Sequence, residues 1–245
     1  MRDPALASAY VDYFNETHGM VRDTMRRFVN EAVKPHIDEW EEAGAFPREI
    51  YPQAGGLGLL SIGHPTEFGG SGEQDVFLKV AASEELMRSG SGGFVASLGS
   101  LDIGLPPVWR TGSEALKARV VPQVLAGEKI IALAITEPSG GSDVANLKTR
   151  AVRDGDHYVV NGSKTFITSG ARADYYTVAV RTGEAGFGGV SLLLIEKGTP
   201  GFTVGRNLKK MGWWASDTAE LFFQDCRVPV ENLLGPENSG FFTIM

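Results

Sequence analysis

One stretch of this sequence could do chemistry by its residue types and their spacing: Ile130–Ser142, which reads I-I-A-L-A-I-T-E-P-S-G-G-S. Its first half is apolar, as in a buried strand, whereas its second half breaks into Pro138, Gly140 and Gly141. A strand that ends in small residues, backbone N–H groups and the hydroxyl of Ser142 suits a flat cofactor that carries phosphates. The same residues are typical of an ordinary turn. The stretch therefore predicts a strand that leads into a loop, and a phosphate site is one of two interpretations of that loop.

A second segment with similar chemistry is Asn161–Gly170, which reads N-G-S-K-T-F-I-T-S-G. Its first two residues predict a hairpin turn, because Asn-Gly favours positive φ, and that hairpin would present Phe166 and Thr168 on one face. Thr136 and Thr168 could then hydrogen-bond the edge of a heteroaromatic ring while Phe166 packs against its face. The alternative is that both hydroxyls bond their own backbone and that Phe166 belongs to the core.

The composition excludes several classes of function. The 245 residues are 42% apolar and 22% charged, and their net charge of −7 comes without a Lys/Arg-rich run, which argues against nucleic acid and anionic membranes as main partners. Cys226 is the only cysteine and the four histidines show no ligand spacing, so we expect neither a disulfide nor a metal site. No apolar stretch approaches the roughly 20 residues of a membrane span, and no signal-peptide pattern is present. We expect a cytoplasmic protein.

Hydrophobic periodicity divides the chain into a helical first part and a β-rich second part. Helical spacing begins after Asn15, a predicted N-cap, and Pro35 should kink or divide the first long helix. The Gly- and Ser-rich segment Ser89–Gly104 fits either a loop or a helix whose small residues leave room for a ligand. After Glu128 the period changes to two, and Asp154-Gly155 predicts another hairpin. Strands are predicted at 129–136, 147–153, 157–160, 163–168, 174–182, 190–196, 202–207 and 219–226.

These patterns predict a multi-domain α and β protein. An all-α helical domain is expected at 1–128, an antiparallel β-sandwich or barrel domain at 129–236, and the start of a further helical domain at 237–245. The final residues, Gly240 to Met245, are too apolar to lie in solvent and too short to form a stable helix alone. We therefore expect a fragment of a longer protein.

The two motifs taken together resemble a known family. I-T-E-P-x-x-G-S-D followed by N-G-x-K-x-[FW]-I-T-x-G is closely similar to the flavin-binding middle domain of acyl-CoA dehydrogenases. The resemblance covers nearly the whole chain, including F-G-G-S-G at 68–72, M-G-W-W-A-S-D-T-A-E-L at 211–221 and L-L-G-P-E-N-S-G at 233–240. It is strongest toward the long-chain branch and related bacterial enzymes. It implies a helical N-terminal domain, a central β domain and a C-terminal four-helix domain, and the expectation is that this C-terminal helical bundle is missing from the fragment.

The resemblance also implies roles for individual residues around bound FAD. Ser142 would lie beside the pyrophosphate and also touch the acyl-CoA, and Phe166 stands where many relatives have tryptophan. Gly99 is a candidate wall residue of the acyl pocket, and its small size suggests a pocket open to medium or longer acyl chains. The residues implied to contact the cofactor are Leu133, Ile135, Thr136, Ser142, Phe166, Ile167 and Thr168.

The implied activity is the α,β-desaturation of an acyl-CoA thioester by a homo-oligomeric flavoprotein of fatty acid metabolism, which passes its electrons to electron transfer flavoprotein. The family's glutamate base would lie beyond Met245, so no catalytic residue is expected in this chain. Two alternatives stay open. One is an acyl-CoA oxidase or flavin monooxygenase-like enzyme of the same fold, and the other is a non-catalytic oligomerising or binding fragment.

Several other residues are expected to have structural roles. Glu137 should order the turn at Pro138, and Glu84 and Glu85 should lie on a partly solvated helix face. Packing or interface roles without chemistry are expected for Trp213, Trp214 and Cys226.

Overall fold

The structure, a computed structural model, describes residues 13–72 and 75–245. Helices occupy the first part of the described chain and strands the second, and none of the helices in these ranges has the length and apolar character needed to cross a membrane. In chain order, the α-helices are α1 Glu16–Phe28, α2 Ile37–Ala43, α3 Ile50–Gly56, α4 Val76–Met87, α5 Gly92–Leu98, α6 Leu101–Gly104, α7 Pro106–Thr111, α8 Glu114–Leu125 and α9 Gly240–Ile244. The strands are β1 Ile131–Ala134, β2 Arg150–Asp154, β3 His157–Thr168, β4 Tyr175–Arg181, β5 Val190–Glu196, β6 Phe202–Asn207, β7 Thr218–Pro229 and β8 Leu233–Leu234.

The first helix begins and divides where the sequence predicts. The side chain of Asn15 accepts hydrogen bonds from the backbone N–H groups of Thr17 at 3.0 Å and His18 at 3.3 Å, which caps α1. After α1 comes a π-helical turn at Val29–Val33 and then a 3₁₀ turn that contains Pro35. Proline lacks an N–H and clashes with the preceding turn, so the helical path is interrupted there before α2 begins.

The glycine-rich segment Ser89–Gly104 is helical, which decides between the two interpretations of its sequence. It forms α5 and α6, and α5 begins where the hydroxyl of Ser91 accepts a hydrogen bond from the N–H of Phe94 at 3.0 Å. Glycine is required at position 93 by close packing, since a Cβ there would lie 2.7 Å from the carbonyl carbon of Trp213. The small residues thus let the loop before β7 approach the backbone of α5.

Within the described residues, the strands form a mostly antiparallel sheet of eight strands, in the order β6-β7-β3-β2-β4-β5-β8, with β1 attached to β4. β1 runs parallel to β4, and β2 meets the same edge of β4 in parallel at Arg150 and Arg181. The sheet therefore divides at β4 into two halves. Tyr176 of β4 packs edge-to-face on Phe202 of β6, with ring centroids 4.8 Å apart, so the halves face each other across a common core.

One predicted hairpin is right and the other is wrong. Asp154 pairs with His157 across a tight turn in which Gly155 has a φ of 62°, as the sequence indicates. Asn161-Gly162 is not a turn, because β3 continues through it, and its pairing with β7 shifts register between Val160 and Gly162. Gly162 has a φ of 145°, and a Cβ there would lie 2.6 Å from Oγ1 of Thr149, so the glycine serves a bulge in a long strand.

The prediction that Glu85 is partly solvated is also wrong. Its side chain is buried, and the guanidinium of Arg26 donates to both carboxylate oxygens, at 3.0 Å and 2.5 Å. The hydrogen bond from Arg26 lowers the pKa of Glu85 and outweighs the opposing effect of burial. The pair joins α1 to α4, and this long-range partner cannot be seen in a local helical pattern.

Two buried hydrogen bonds attach the helical layer to the sheet. The hydroxyl of Ser100 donates to the carbonyl of Ile131 in β1 at 3.1 Å, and the hydroxyl of Thr177 in β4 donates to the carbonyl of Gly104 at 2.7 Å. A Cβ at Gly104 would lie 3.2 Å from the carbonyl carbon of Ala132, so α6 approaches β1 closely. This contact brings the glycine-rich helices beside the strand that leads into the I-T-E-P motif.

We expect Thr177→Val to lower the free energy of unfolding by about 1–3 kcal/mol, because the buried carbonyl of Gly104 would lose its side-chain donor. Thr203→Val, an exposed threonine of β6, is the matched control and should change stability by less than about 0.5 kcal/mol. Urea denaturation followed by circular dichroism measures both. Equal midpoints for the two variants would contradict the role given to this hydrogen bond.

Candidate functional site

The two motifs predicted to bind a cofactor are joined by their backbones. The N–H of Thr165 in β3 donates to the carbonyl of Thr136, just past the end of β1, at 2.9 Å. Thr136 itself is half-buried and lies against the following turn, since a Cβ on Gly141 would be 3.2 Å from its Cγ2. The I-T-E-P strand end and the N-G-S-K-T-F segment therefore form one continuous wall.

Phe166 occupies an unusual position on this wall. It has a φ of 59° within a strand, where bulky side chains seldom adopt positive φ, and the pairing of β3 with β7 shifts register between Lys164 and Ile167. This irregularity leaves the Phe166 ring 67% exposed, whereas Ile167 is only 2% exposed and packs in the core. A strained backbone that presents an aromatic ring at the surface is typical of a binding site.

A buried ion pair lies directly behind the wall. The ammonium of Lys164 is fully buried and lies 2.9 Å from Oε1 of Glu137, and it also donates to the carbonyl of Ile135 at 2.9 Å. Glu137 in turn accepts from the backbone N–H groups of Lys148 at 2.6 Å and Thr149 at 2.8 Å. One carboxylate thus joins the end of β1, β3 and the segment before β2.

The pKa shifts of this pair follow from burial and from mutual attraction. Burial lowers the pKa of Lys164 to about 8, although Glu137 opposes that shift. Burial would raise the pKa of Glu137, but the charge of Lys164 and the hydrogen bonds to its carboxylate outweigh it and hold the pKa below its ordinary value. Both groups are therefore charged at neutral pH.

Glu137 also orders the turn, as the sequence predicts. Its N–H donates to the carbonyl of Gly140 at 3.1 Å, and the N–H of Gly140 donates back at 3.0 Å. No local pattern predicts that its side chain pairs with Lys164, although both residues belong to the recognised motifs. The turn leads to Ser142, which is exposed, and a Cβ on Gly140 would meet no atom within 4 Å, so the backbone there is open to a ligand.

The wall fits a flat ring with polar edges and a phosphate tail. The exposed Phe166 ring supplies an apolar face, and the half-buried Thr136 and Thr168 supply hydroxyls beside it. Leu133 and Ile135, also half-buried, alternate with the buried Ala134 along β1, so they point toward the open side. Of the seven residues predicted to contact the cofactor, Ile167 alone has a fully buried side chain, which leaves its backbone for such a contact, and the half-buried Ile135 also packs against the core.

A smaller and a larger cavity border the glycine-rich helices, and the larger one also borders β1. The smaller, about 80 Å³, is lined by Gly99 and by apolar side chains that include Met25 and Leu98. The larger, about 280 Å³, reaches Leu133 on the wall, and we call it the polar cavity. Lys79 and Asp102 line both, 3.0 Å apart, so Gly99 is separated from the wall by an ion pair. The polar lining of the larger cavity is His64, Lys79, Asp102, Trp109, Arg110 and Thr243.

Comparison with known proteins identifies the family. Residues 15–128 match the model of the acyl-CoA dehydrogenase N-terminal domain, and residues 132–226 match that of the acyl-CoA dehydrogenase middle domain. The chain belongs to the acyl-CoA dehydrogenase family. The observed helical and mostly antiparallel β architecture agrees with this assignment, as does the order of the two matched regions.

Individual relatives support the same conclusion. The chain is 42% identical over 235 residues to the long-chain specific acyl-CoA dehydrogenase of Sus scrofa, covering 95% of this chain and 54% of that protein. An acyl-CoA dehydrogenase structure from Geobacillus kaustophilus is 43% identical with a TM-score of 0.90, covering 95% and 62%. One from Bacillus anthracis, complexed with FAD, is 33% identical with a TM-score of 0.86, covering 95% and 40%. The chain thus spans about half the length of the curated relative.

We expect Lys164→Met to lower the free energy of unfolding by about 3–5 kcal/mol, because Glu137 would keep a buried charge without a counter-ion. Lys117→Met, which breaks an exposed ion pair with Glu114 at 2.7 Å, is the matched control and should lower it by less than about 1 kcal/mol. The double variant Lys164→Met with Glu137→Gln should recover part of the loss. Additive effects of the two substitutions in a double-mutant cycle would contradict a coupled pair.

The lowered pKa of Glu137 also gives stability a pH dependence of definite sign. The pKa of the Glu137 carboxyl is lower in the folded protein than in the unfolded chain. Between these two pKa values the unfolded chain therefore binds more protons than the folded protein. Stability is lost as the pH falls through the folded pKa. We expect Glu137→Gln with Lys164→Met to show a shallower loss of stability than wild type between about pH 5 and pH 3. Glu114→Gln, in an exposed pair, is the control and should follow the wild-type profile. Parallel profiles for wild type and the double variant would contradict this contribution.

Proposed function

We propose that this chain provides the flavin wall and part of the acyl pocket of an FAD-dependent acyl-CoA dehydrogenase. Such an enzyme desaturates an acyl-CoA thioester between its α and β carbons and passes the electrons to electron transfer flavoprotein. The observation that carries this function is the exposed ring of Phe166, held at a φ of 59° directly after Thr165, whose N–H donates to the carbonyl of Thr136. Family membership and the similarity to an FAD-containing relative support it.

Different residues of the wall would contact different parts of FAD. Leu133, Ile135 and Phe166 would offer apolar contact to the ring, and Thr136 and Thr168 would hydrogen-bond its polar edge. The exposed backbone near Gly140 and the hydroxyl of Ser142 would hold the pyrophosphate. Ile167 would contact the cofactor through its backbone. Bound FAD supplies the hydride acceptor.

The remaining residues would bind and orient the thioester and keep water away from it. Ser142 would touch the acyl-CoA beside the pyrophosphate, and Gly99 would line the acyl pocket of the helical domain. We place the glutamate base outside residues 1–245, in the portion of the longer relatives that this chain does not match. We further propose that the unit comprises 1–128, 129–236 and the start of a helical domain at 237–245, in a cytoplasmic homo-oligomer of fatty acid metabolism.

The direct test is anaerobic reduction of bound FAD by acyl-CoA. The protein is loaded with FAD, and visible flavin absorbance is followed while acyl-CoA thioesters of increasing chain length are added, with and without a co-expressed C-terminal portion taken from a relative. Loss of absorbance with formation of the enoyl-CoA supports dehydrogenation. Failure of every preparation to hold FAD would overturn the function, and rapid oxygen consumption on re-aeration would favour an oxidase of the same fold.

We expect Phe166→Ala to weaken FAD binding about tenfold, since stacking of one aromatic ring contributes roughly 0.5–1.5 kcal/mol beyond the area it covers. Phe222→Ala is the matched control, because Phe222 is also an exposed phenylalanine, 44% accessible, and its ring lies over Gly205 of β6. Quenching of flavin fluorescence gives both dissociation constants. Equal FAD affinities for the two variants would contradict a contact between the Phe166 ring and the cofactor.

A further inference from the structure

The loop before β7 holds an ammonium group that the proposed function does not use. The Nζ atom of Lys210 donates to the hydroxyl of Thr218 at 3.0 Å and to the carbonyl of Ser216 at 2.5 Å. The indole N–H of Trp214 donates to the backbone carbonyl of Lys210 at 2.7 Å, which ties the loop back on itself. The half-buried Lys210 side chain is therefore held by neutral oxygen atoms of its own loop and of β7.

Strand pairing places Thr218 directly opposite Thr168 of the flavin wall. The two threonines are register partners of β7 and β3, as are their neighbours Ala219 and Ile167. Residues directly opposite each other in an antiparallel pair have their side chains on the same face of the sheet. Ala219 and Ile167 are both buried, and side chains alternate along a strand, so the threonines lie on the other face. The ammonium of Lys210 therefore lies on the face that carries the proposed hydroxyl contact to FAD.

The ammonium of Lys210 is not paired with a carboxylate. Among residues 13–72 and 75–245, no carboxylate oxygen lies within 4.0 Å of it. Glu41 instead accepts from the backbone N–H of Trp214 at 2.8 Å, and Asp217 from that of Ala171 at 2.8 Å. Burial lowers the pKa of Lys210, and the more distant charges of Asp217 and Glu41 oppose that shift. One of its three N–H donors is left without an acceptor in the described chain.

The neighbouring charged side chain on this face is already neutralised. Glu220 lies two residues beyond Thr218 in β7, so the two side chains share a face. Nε of Arg206 donates to the Glu220 carboxylate at 3.2 Å, and this pair carries no net charge. Lys210 therefore contributes a positive charge next to Thr168 that this neighbour does not cancel.

The proposed desaturation changes the charge of the ring that would lie on this face. Two electrons and one proton leave the β carbon of the thioester as a hydride and reduce the flavin, and the α proton passes to the base. The ring is neutral before this step and carries one net negative charge after it, unless its N1 atom takes up a further proton. A fixed cation nearby favours the reduced ring, and partial burial weakens the screening of that attraction by salt.

We propose that Lys210 raises the reduction potential of bound FAD by stabilising the negative charge of the reduced ring, an inference that rests on the proposed function. Its ammonium is held in position through Thr218, opposite Thr168, before any electron arrives. The carboxylate of Glu41 on α2 fixes the loop itself by accepting from the backbone N–H of Trp214. The role is electrostatic, and it requires a positive charge at position 210.

The test compares the reduction potential of FAD bound to the protein and to its variants. Lys210→Gln and Lys210→Met both remove the charge, and the first keeps an N–H donor. Each should disfavour the two-electron reduction about tenfold, which lowers the potential by about 30 mV. Lys210→Arg keeps the charge and should stay within about threefold of wild type. Anaerobic titration against dyes of known potential, followed by flavin absorbance, measures every potential.

The adjacent lysine is the matched control. Lys209 is exposed, so Lys209→Gln removes the same charge from a position that water screens, and it should change the reduction equilibrium less than about twofold. Oxidised FAD has a neutral ring, so its dissociation constant for Lys210→Gln should stay within about threefold of wild type. Thermal melts check that each variant is folded.

The reduced flavin gives a second, spectroscopic readout. Its absorbance distinguishes the ring protonated at N1 from the anionic ring, and a nearby cation lowers the pKa of N1. We expect this pKa to be higher in Lys210→Gln than in wild type, and equal to wild type in Lys209→Gln.

The outcomes distinguish this inference from the function on which it rests. Wild-type potentials in both neutral variants would overturn the electrostatic role and leave FAD-dependent dehydrogenation standing. An equal fall in potential for Lys210→Arg and Lys210→Gln would also overturn it, since loop geometry and not charge would then be the cause. Failure of the wild-type protein to hold FAD would overturn the proposed function and this inference with it.

Discussion

The candidate site depends on a single buried ion pair. Lys164 and Glu137 are removed from water together, and neither charge could be buried without the other and the backbone groups around them. Those backbone groups lie just past β1 and just before β2, and Lys164 itself belongs to β3. By satisfying them, the pair holds the end of β1 against β3, with the N–H of Thr165 bonded to the carbonyl of Thr136 at 2.9 Å. Each recognised motif therefore contains one member of this pair as well as residues that would touch a cofactor.

The strained backbone of Phe166 lies next to this ion pair. Phe166, with a φ of 59°, lies two residues after Lys164, at the irregular pairing of β3 with β7. An aromatic side chain adopts such a conformation only where its surroundings compensate, and the fully buried Lys164 on one side and the buried Ile167 on the other provide that compensation. The consequence is an exposed ring on a rigid strand, which is suited to a flat ligand because little conformational entropy is lost on binding.

The helical layer contributes the other part of the site through close packing. Glycines at positions 93 and 104 admit backbone contacts that any Cβ would obstruct, and hydrogen bonds from Ser100 and Thr177 satisfy carbonyl groups at the same junction. These contacts bring α6 against β1, so the polar cavity opens next to Leu133. The lining of the cavity comes from the loop before α4, from α4, α6 and α7, and from β1 and α9, so it combines residues between positions 63 and 244 of the chain. The polar groups of this cavity are thus brought beside the wall by the contact between α6 and β1.

Local patterns determined much of this protein without a structure. Alternation predicted the strands from β1 to β7 to within a few residues, and Asn15 and Pro35 marked the first helix. Two short motifs indicated the family and the wall around Thr136 and Phe166. Each of these predictions depends on residues that are close together in the chain. Only the tertiary structure decided that Asn161-Gly162 is a bulge, that Glu85 is buried against Arg26, that Lys164 pairs with Glu137, and that His64 and Trp109 meet at one cavity. Each of these depends on a partner distant in sequence, since burial and charge pairing are set by which segments the fold brings together.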